Sequence, residues 1–302
     1  MSDRQTMLPT ATPGAAHATA IPAISLVVAT YGRAEQLQTL LRSLLAQRHR
    51  DFEIFVVDQN TDDRIALILA PMQDAGLDIV HLRQSRPGLS AARNLALQHV
   101  RGAIVAFPDD DCWYDPLLLA QVVSHLAEHA DIAGVVARWV EETPAKGGIE
   151  QLSATAWRRF RGGDAASITL FLRTALLRQR GDFDERLGAG TWYGSSEDTD
   201  LVLRLLGSGD RLDYLPDALV HHALAKSVPM TTARCWRELG YGRGIGATYI
   251  KHRIAFWVVA RGLFGPWVRA LRAPSRLSGL VLATCTIAGR MQGMFSWYFR
   301  EK

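Results

Sequence analysis

Three adjacent aspartates form the first candidate site. Asp109, Asp110 and Asp111 follow directly after the apolar run AIVAF at 103–107. Three neighbouring carboxylates repel one another unless a cation neutralises them, and Mg²⁺ or Mn²⁺ binds one or two protein carboxylates together with water and phosphate oxygens. In an extended chain Asp109 and Asp111 point to one side and Asp110 to the other. The alternative is a solvated acidic loop in which Asp115, followed by a first-turn proline, caps the next helix.

A second group of carboxylates lies in the segment GSSEDTD at 194–200, which contains Glu197, Asp198 and Asp200. A carboxylate acts as a general base when its surroundings bring its pKa toward the working pH. The alternative is structural, because Ser195 and Asp198 have the spacing of a capping-box variant that closes the start of a helix.

Alternating strands and helices position these residues. Strands are predicted at 23–30, 52–58, 78–82, 103–107, 132–140 and 211–222, and helices at 34–47, 89–100, 117–129 and from about 195. The first strand, helix and strand form a βαβ unit, so the first two strands are expected to be parallel. The sequence therefore predicts an α/β fold with a mainly parallel sheet flanked by helices.

Polar residues stand at the carboxyl ends of three predicted strands. Thr30 and Tyr31 end the first, Asp58, Gln59 and Asn60 end the second, and the three aspartates follow the fourth. In open α/β sheets ligands bind at such ends. No GxGxxG follows the first strand and no GxxxxGK[ST] occurs, which argues against a Rossmann dinucleotide site and a P-loop.

The distribution of charge divides the chain near residue 225. Residues 226–302 contain 13 Lys/Arg and 2 Asp/Glu, a net charge of +11, which leaves −7 for residues 1–225. Four of the eight tryptophans lie in the basic part. We therefore expect a disordered tail over 1–21, a folded domain over 22–225 and a basic, Trp-rich helical tail over 226–302.

The basic tail contains the two most apolar stretches of the chain, 254–268 and 277–299, which Arg261 and Arg290 interrupt. Neither gives the ~20 mainly apolar residues of a membrane span. Aromatic and apolar residues with many arginines predict helices lying in the interface of an anionic membrane. A soluble helical cap on the sheet domain is the alternative. Nucleic-acid binding is not expected, since no recognised nucleic-acid-binding fold accompanies the charge.

The expected location is the cytoplasmic face of the inner or plasma membrane. The first 20 residues lack the apolar core of a signal peptide. The three cysteines, Cys112, Cys235 and Cys285, are odd in number and lack CxxC spacing. This pattern favours a reducing compartment over a disulfide framework or a structural zinc site.

Seven motifs occur in order over residues 24–206: ISLVVATYGR, QLQTLLRSLLAQ, FEIFVVDQNTDD, RPGLSAARNLAL, GAIVAFPDDDCW, GDFDERLGAG and SSEDTDLVLRL. This series resembles the family 2 glycosyltransferases, inverting enzymes of the GT-A fold that use nucleotide-diphospho-sugars. The resemblance implies a nucleotide-sugar-binding part over 22–115, an acceptor-binding part over 116–225, and Mg²⁺ or Mn²⁺ as cofactor.

The resemblance also assigns roles to residues. Thr30, Tyr31 and Asp58 match positions that line the nucleotide pocket, and Asp109 and Asp111 match the family's DxD pair, with Asp111 as the metal ligand. Family members usually carry Asp or Asn at the position of Gln59, so the nucleotide base stays open. The predicted donor-binding set is Thr30, Tyr31, Asp58, Gln59, Arg93, Asp109, Asp110 and Arg243.

Some of these assignments leave alternatives. Arg93 lies beside the donor or forms an ion pair on its own helix. Arg243 belongs to a glycine-rich segment, 238–253, which is expected to be mobile, so that Arg243 or Lys251 closes over a diphosphate. For the metal, His222 is placed ahead of His221 as a ligand beside Asp109 and Asp111, and a structural role is the alternative.

For the reaction, the resemblance points to Asp198 as the general base. Glu197 is expected to support it, and Asp200 is the alternative base. Trp192 and Tyr193 are expected to stack on an acceptor sugar or, alternatively, to pack in the core.

The predicted function is transfer of a single sugar to a lipid-linked glycan acceptor in cell-surface or exopolysaccharide synthesis. The QxxRW motif of processive family members does not occur. An inactive sugar-nucleotide-binding scaffold and a nucleotidyltransferase are the alternatives. The latter is disfavoured because the first strand is not followed by a basic, glycine-rich loop.

Overall fold

The computed structural model describes residues 21–140, 150–161, 165–222, 230–272 and 276–300. Within these ranges the strands form one sheet and are β1 Ile24–Thr30, β2 Phe52–Asp58, β3 Ile79–Arg83, β4 Ile104–Ala106, β5 Cys112–Tyr114, β6 Gly134–Val140, β7 Glu150–Gln151, β8 Leu170–Arg173 and β9 Leu212–His222. The helices are α1 Ala34–Leu45, α2 Arg64–Asp74, α3 Leu89–Leu97, α4 Leu118–Glu128, α5 Ala154–Arg158, α6 Thr174–Arg180, α7 Glu197–Gly207, α8 Thr232–Lys251, α9 Phe256–Arg272 and α10 Arg276–Arg300, with a 3-10 turn at Ser167–Thr169.

The sheet is mainly parallel. Its strand order is β3-β2-β1-β4-β8-β6-β9-β5, with β7 paired to β9. Strands β1 to β4 run parallel to one another, β6 and β9 form a second parallel pair, and β8 is antiparallel to both of its neighbours. The predicted parallel pairing of the first two strands is confirmed, with Thr30 opposite Asp58 at their carboxyl ends.

Helices cover both faces of the sheet because its central strands are apolar on both sides. Leu26 and Val28 of β1 pack in one core with α1, α2 and α4, whereas Val27 packs in the other with α3 and α7. The leucine stripe predicted for α1 is buried in the first core and consists of Leu37, Leu40, Leu41 and Leu44. The alternation along β1 therefore fixes which helices cover each face.

The turn before α4 differs from the predicted helix cap. The helix begins at Leu118, its N-cap position is Leu117, and neither Asp115 nor Pro116 occupies the predicted position. Asp115 instead closes a turn, since its Oδ1 accepts a hydrogen bond from the Leu117 amide at 3.0 Å. Asp115 is therefore structural, but as part of this turn and not as the predicted cap of α4.

A topological switch point lies between β1 and β4. From β1 the chain moves outward through β2 and β3 and then returns to pair β4 with the opposite side of β1. The connections after β1 and β4 therefore diverge, which leaves a crevice at the carboxyl edge of the sheet. The candidate residues at 30, 58 and 109–111 all lie along this edge.

Residues 238–251 of the glycine-rich segment at 238–253 are not the mobile connection that the sequence predicts but part of the 20-residue helix α8. A side chain at Gly244 would collide with the backbone carbonyl of Ser195, and one at Gly246 with the carbonyl of Arg290 on α10. The glycines thus allow α8 to approach both α10 and the loop that leads into α7.

Helices α8 to α10 are joined to the sheet domain by buried contacts. Trp297 of α10 packs in a cluster with Leu187 and Tyr193. At the end of α8, the Lys251 ammonium lies 2.7 Å from carboxylate oxygens of both Asp184 and Asp200. The inner side of the basic tail is therefore a cap on the sheet domain. Among the described residues, no helix has the length and apolar character needed to cross a membrane.

Candidate active site

The three aspartates lie in a turn between β4 and β5, which we call the acid turn (Asp109–Asp111). Because the Cys112 amide donates to the carbonyl of Asp109 at 3.3 Å, the chain is not extended here, and the expected alternation of side chains is wrong. Asp110 does not face away from the site: its Oδ2 accepts a hydrogen bond from Thr30 Oγ1 at 2.8 Å. This bond ties the acid turn to the end of β1.

Arg33 is a site residue that the sequence reasoning missed. Its Nη1 lies 3.1 Å from Asp110 Oδ1 and also contacts Asp111 Oδ2. Burial and the neighbouring carboxylates raise the pKa of Asp110 to about 6, although the Thr30 hydrogen bond and the Arg33 charge act to lower it. Arg33 therefore pairs with two of the three aspartates and offsets part of their charge.

The end of β9 brings His222 to the same turn. Its Nε2 lies 3.1 Å from Asp111 Oδ1, whereas His221 stacks on Trp113 with ring centroids 5.5 Å apart. Burial acts to raise the pKa of Asp111, but the His222 hydrogen bond and the charge of Arg33 outweigh it and lower the pKa. Of the two histidines, His222 is therefore the one that contacts the acid turn, and its role as a metal ligand stays a prediction.

Asp58 at the end of β2 is fully buried. Its Oδ1 accepts hydrogen bonds from the Asn60 amide and from Asn60 Nδ2 at 2.9 and 2.8 Å, and its Oδ2 lies 3.1 Å from His81 Nε2. Burial acts to raise the pKa of Asp58, but these hydrogen bonds lower it. Asp58 is therefore an ionised anchor for the loop after β2.

Gln59 points away from the sheet edge and into the neighbouring loop. Its Oε1 accepts a hydrogen bond from the Gly88 amide at 2.6 Å. Asn60 Oδ1, in contrast, accepts from the Gly32 amide at 2.8 Å and joins the loops after β1 and β2, beside the exposed Tyr31. Of the two residues after Asp58, it is therefore Asn60, and not Gln59, that contacts the loop after β1.

Arg93 links the acid turn to α7. It is almost fully buried, and its Nη2 lies 3.0 Å from Asp109 Oδ1 and 2.9 Å from Ser167 Oγ. Its Nη1 lies 3.2 Å from Glu197 Oε1, and its guanidinium packs 5.2 Å from the centre of the Phe183 ring. The predicted ion pair within its own helix is wrong, whereas the predicted position beside the donor stays a prediction. Arg93 makes no ion pair within its own helix, and its buried guanidinium holds two acidic segments together.

Asp198 lies in the first turn of α7 and is partly exposed. The capping-box alternative is wrong, since the N-cap residue is Ser196, in a left-handed conformation with φ 74° and without a side-chain cap. Ser195 Oγ donates to the Tyr241 carbonyl at 3.0 Å, and Asp198 Oδ1 accepts from the Thr199 amide at 2.6 Å. Asp198 therefore does not cap α7, and only its Oδ1 is used in the hydrogen bond to the Thr199 amide.

Asp200 has a structural position, which argues against it as the alternative base. Its carboxylate is fully buried, with Oδ2 3.1 Å from Arg204 Nε and Oδ1 2.7 Å from both Lys251 Nζ and His252 Nε2. Asp200 thus faces α8 and binds α7 to it.

The two predicted acceptor residues differ in their surroundings. Tyr193 is only 5% exposed and packs edge-on against Trp297, so it belongs to the core. Trp192 is 45% exposed, and the Arg243 guanidinium lies 4.4 Å from its ring centre. Arg243 also donates to Gln292 Oε1 at 2.9 Å, which fixes it at the α8–α10 junction. Of these two aromatic residues, Trp192 is the one with an exposed ring surface on which a sugar could stack.

The site therefore brings together the ends of β1 and β2, the acid turn and the start of α7, and these segments belong to the motifs of the sequence. The family model for Glycosyl transferase family 2 matches residues 25–175, half of the chain. The chain belongs to glycosyltransferase family 2. The glycosyltransferase GlyA of Streptococcus pneumoniae is 31% identical over 111 residues, which cover 36% of this chain and 16% of that protein.

The similarity to a second curated relative extends over most of the chain. The pre-mycofactocin glycosyltransferase of Mycobacterium tuberculosis is 26% identical over 281 residues, which cover 87% of this chain and 56% of that enzyme. The chain spans between 16% and 56% of the length of four curated glycosyltransferases that it matches.

Solved structures confirm the predicted GT-A type fold of this family 2 chain. S. aureus TarS in complex with UDP-GlcNAc matches with a TM-score of 0.55 at 18% identity, over 91% of each chain. The mannosyltransferase PcManGT from Pyrobaculum calidifontis, in complex with GDP-Man and Mn²⁺, matches with a TM-score of 0.55 at 18% identity, over 98% of this chain and 79% of that one.

Glu197 makes the stability of this family 2 protein depend on pH. Burial and the charge of Asp198 raise its pKa from 4.5 to about 7, although Arg93 acts to lower it. Between these values the native state binds more protons than the unfolded state, so stability falls as the pH rises from about 4.5 to 7. At pH 8, Glu197→Gln is expected to raise the free energy of unfolding by up to about 3 kcal/mol.

Urea unfolding of both proteins at pH 5 and pH 8 measures this effect. The variant resembles protonated Glu197, so the stability difference between the two proteins should be much smaller at pH 5 than at pH 8. An equal stability difference at both pH values would show that Glu197 is not protonated in the native state.

Proposed function

We propose that this family 2 protein transfers one sugar from a nucleotide-diphospho-sugar to an acceptor hydroxyl with inversion at the anomeric carbon. The observation that carries the proposal is the bridge from Asp109 through Arg93 to Glu197, whose distances are 3.0 and 3.2 Å. It joins the acid turn, at the donor edge of the sheet, to the helix that carries Asp198. The site therefore has a donor side and a base side in contact.

The donor side consists of the ends of β1, β2 and β4. Thr30 and Asp58 are buried and hold the loops that frame the crevice, and Tyr31 is exposed at its rim. Two structural neighbours contain nucleotide sugars with different bases, UDP-GlcNAc in TarS and GDP-Man in PcManGT. The proposed donor class is therefore a nucleotide-diphospho-sugar of either base.

A divalent cation, Mg²⁺ or Mn²⁺, fits the chemistry of the acid turn. Among the described residues no group of three or more His, Cys, Asp or Glu side chains is arranged to hold a metal. Asp111 and His222, 3.1 Å apart, offer one carboxylate and one imidazole, with Asp109 in the same turn. Magnesium and manganese often take this few protein ligands and add phosphate oxygens. When bound, the cation would neutralise the diphosphate leaving group.

Asp198 is proposed as the general base. In the displacement, its carboxylate accepts the proton of the acceptor hydroxyl while the hydroxyl oxygen forms a bond to the anomeric carbon. The bond from that carbon to the diphosphate oxygen breaks, and the nucleoside diphosphate leaves with the bonding electrons. Glu197 cannot replace Asp198 easily, because its carboxylate is buried against Arg93.

A donor screen tests this function. The purified protein is incubated with Mn²⁺, membrane lipid extracts and either UDP- and GDP-sugars or nucleoside triphosphates. Mass spectrometry follows sugar transfer and the release of nucleoside diphosphate or pyrophosphate. Release with glycosylated product is the expected result. Pyrophosphate release from nucleoside triphosphates would favour a nucleotidyltransferase, and donor binding without turnover under all conditions would favour a scaffold.

We further propose that the acceptor is lipid-linked and that the outer side of α8 to α10 lies on an anionic membrane at its cytoplasmic face. Exposed aromatic side chains lie along these helices, and they are Trp236, Tyr241, Phe256, Trp257, Phe264, Trp267, Phe295, Tyr298 and Phe299. The net charge of +11 for residues 226–302 complements anionic lipid. A role in cell-surface or exopolysaccharide synthesis follows from such an acceptor.

The combined substitution of Phe256, Phe264 and Phe295 with serine is expected to weaken vesicle binding at least about tenfold, because each ring would otherwise bury apolar area in the interface. Flotation with phosphatidylglycerol vesicles measures the bound fraction. Leu67→Ser on α2 is the matched control, since Leu67 is 76% exposed on the sheet domain. Equal flotation of the triple variant and the control would contradict the membrane assignment.

A further inference from the structure

Arg33 occupies a position where the helix itself does not favour an arginine. It is the residue before α1 and makes no side-chain capping hydrogen bond. Ser, Thr, Asp and Asn are preferred at this position, and the positive end of the helix dipole disfavours a cation. The residue type is explained by its contacts, which are the carboxylates of Asp110 and Asp111.

The acid turn thus has two arginines of different mobility. Arg93 is fixed, since it is 1% exposed and held by Asp109, Ser167 and Glu197. The Arg33 side chain is 50% exposed, and within the part of the chain that the structure describes its hydrogen bonds go only to acid-turn carboxylates. It can leave the turn without unpacking the core.

The contacts of Arg33 overlap with those of a divalent cation. Its Nη1 touches Oδ2 of Asp111, while the other oxygen of that carboxylate faces His222 at 3.1 Å. A cation bound by Asp111 and a guanidinium beside the same carboxylate repel each other. Without another anion at the site, the Asp111 carboxylate therefore favours binding either the divalent cation or the guanidinium, but not both.

The diphosphate of a donor is such an anion. A guanidinium binds phosphate oxygens through paired N–H donors, and its geometry suits phosphate as well as carboxylate. We propose that Arg33 is an exchangeable counter-cation: it pairs with Asp110 and Asp111 in the donor-free protein, competes with the divalent cation for Asp111, and transfers to the donor's diphosphate. This inference rests on the proposed function for the identity of the donor.

Arg33→Gln tests the proposal through two opposite shifts in affinity. Without nucleotide, the variant is expected to bind Mn²⁺ roughly three- to tenfold more tightly than the wild type, because the competing charge is gone. Electron paramagnetic resonance of free Mn²⁺ measures this binding. With Mn²⁺ saturating, calorimetry is expected to show a similar loss of affinity for UDP or GDP, and no change for the matching monophosphates.

Two further variants serve as controls. Arg64→Gln removes another half-exposed arginine, paired with Asp62 on the sheet domain, and should leave both affinities unchanged. Arg33→Lys keeps the charge but not the paired donors, so it should restore the Mn²⁺ affinity of the wild type and only part of the diphosphate affinity.

The proposal is overturned if Arg33→Gln leaves Mn²⁺ affinity unchanged or lowers it, if no Mn²⁺ binding is detected, or if diphosphate affinity does not fall. Turnover of a sugar nucleotide by the wild type separates these failures from a failure of the proposed function. With turnover and no opposite shifts, only the Arg33 inference fails. With opposite shifts and no turnover, only the proposed transfer fails.

Discussion

Asp198→Asn is expected to lower the turnover of sugar transfer by about a thousandfold, because a positioned general base contributes on the order of 10²–10⁴ in rate. The amide has nearly the same shape as the carboxylate and its oxygen can still accept the hydrogen bond from the Thr199 amide. It cannot take the proton of the acceptor hydroxyl. Donor affinity should therefore remain within about twofold of the wild type.

Turnover is measured with the donor identified in the screen, and donor affinity by calorimetry on the same preparation. Asp200→Asn is the comparison, because Asp200 is two residues away on α7 but is bonded to Arg204, Lys251 and His252. That variant should lose thermal stability, while its folded fraction still turns over. Full activity of Asp198→Asn would show that another group accepts the proton.

The strand-end residues could be predicted from sequence because strand runs and their neighbours are local patterns. Thr30 and Asp58 follow apolar runs, and the βαβ order predicts parallel strands whose carboxyl ends share one edge. The parallel pairing is confirmed, and the register adds that Thr30 lies opposite Asp58. The alternation of side chains predicted for Asp109 to Asp111 is wrong, because it too was inferred from the local pattern alone. It assumed an extended chain, and the bend that returns the backbone into β5 was not visible in the sequence.

Contacts between distant segments could not be predicted. Arg33 meets Asp110 and Asp111 across more than 70 positions, and the segment TYGR by itself predicts only a loop. The glycines of α8 suggested mobility, whereas their role depends on close approach of α10 and of the Ser195 loop. Glycine is unfavourable in an isolated helix, but here tight packing decides the outcome.

Composition predicted a boundary near residue 225 but not how the two parts meet. An average over 226–302 gives a basic tail, although Lys251 and His252 of that tail are bonded to buried Asp200. Tyr193, expected among the acceptor residues, is instead covered by Trp297. Deletion of the tail would therefore uncover the support of α7. For this reason substitutions on its outer side are the sharper test of membrane binding.

Arg93→Met is expected to destabilise the protein by about 3–5 kcal/mol, because removing one member of a buried ion pair leaves the other charge without compensation. Methionine fills much of the volume of the arginine stem beside Phe183 but cannot bond Asp109 or Glu197. Urea unfolding at pH 8 measures the loss. Since Asp109 and α7 would no longer be linked, sugar transfer should fall as well.

The pH dependence separates lost charge compensation from lost packing. In Arg93→Met the deficit should shrink as the pH falls from 8 to 5, because protonation of Glu197 removes the uncompensated charge. For the same reason, adding Glu197→Gln should recover part of the stability at pH 8, and a double-mutant cycle gives the coupling. If Arg93→Met cost the same with Glu or Gln at position 197, the guanidinium would act by packing and through Asp109 alone. The base-bearing helix would then need another link to the acid turn.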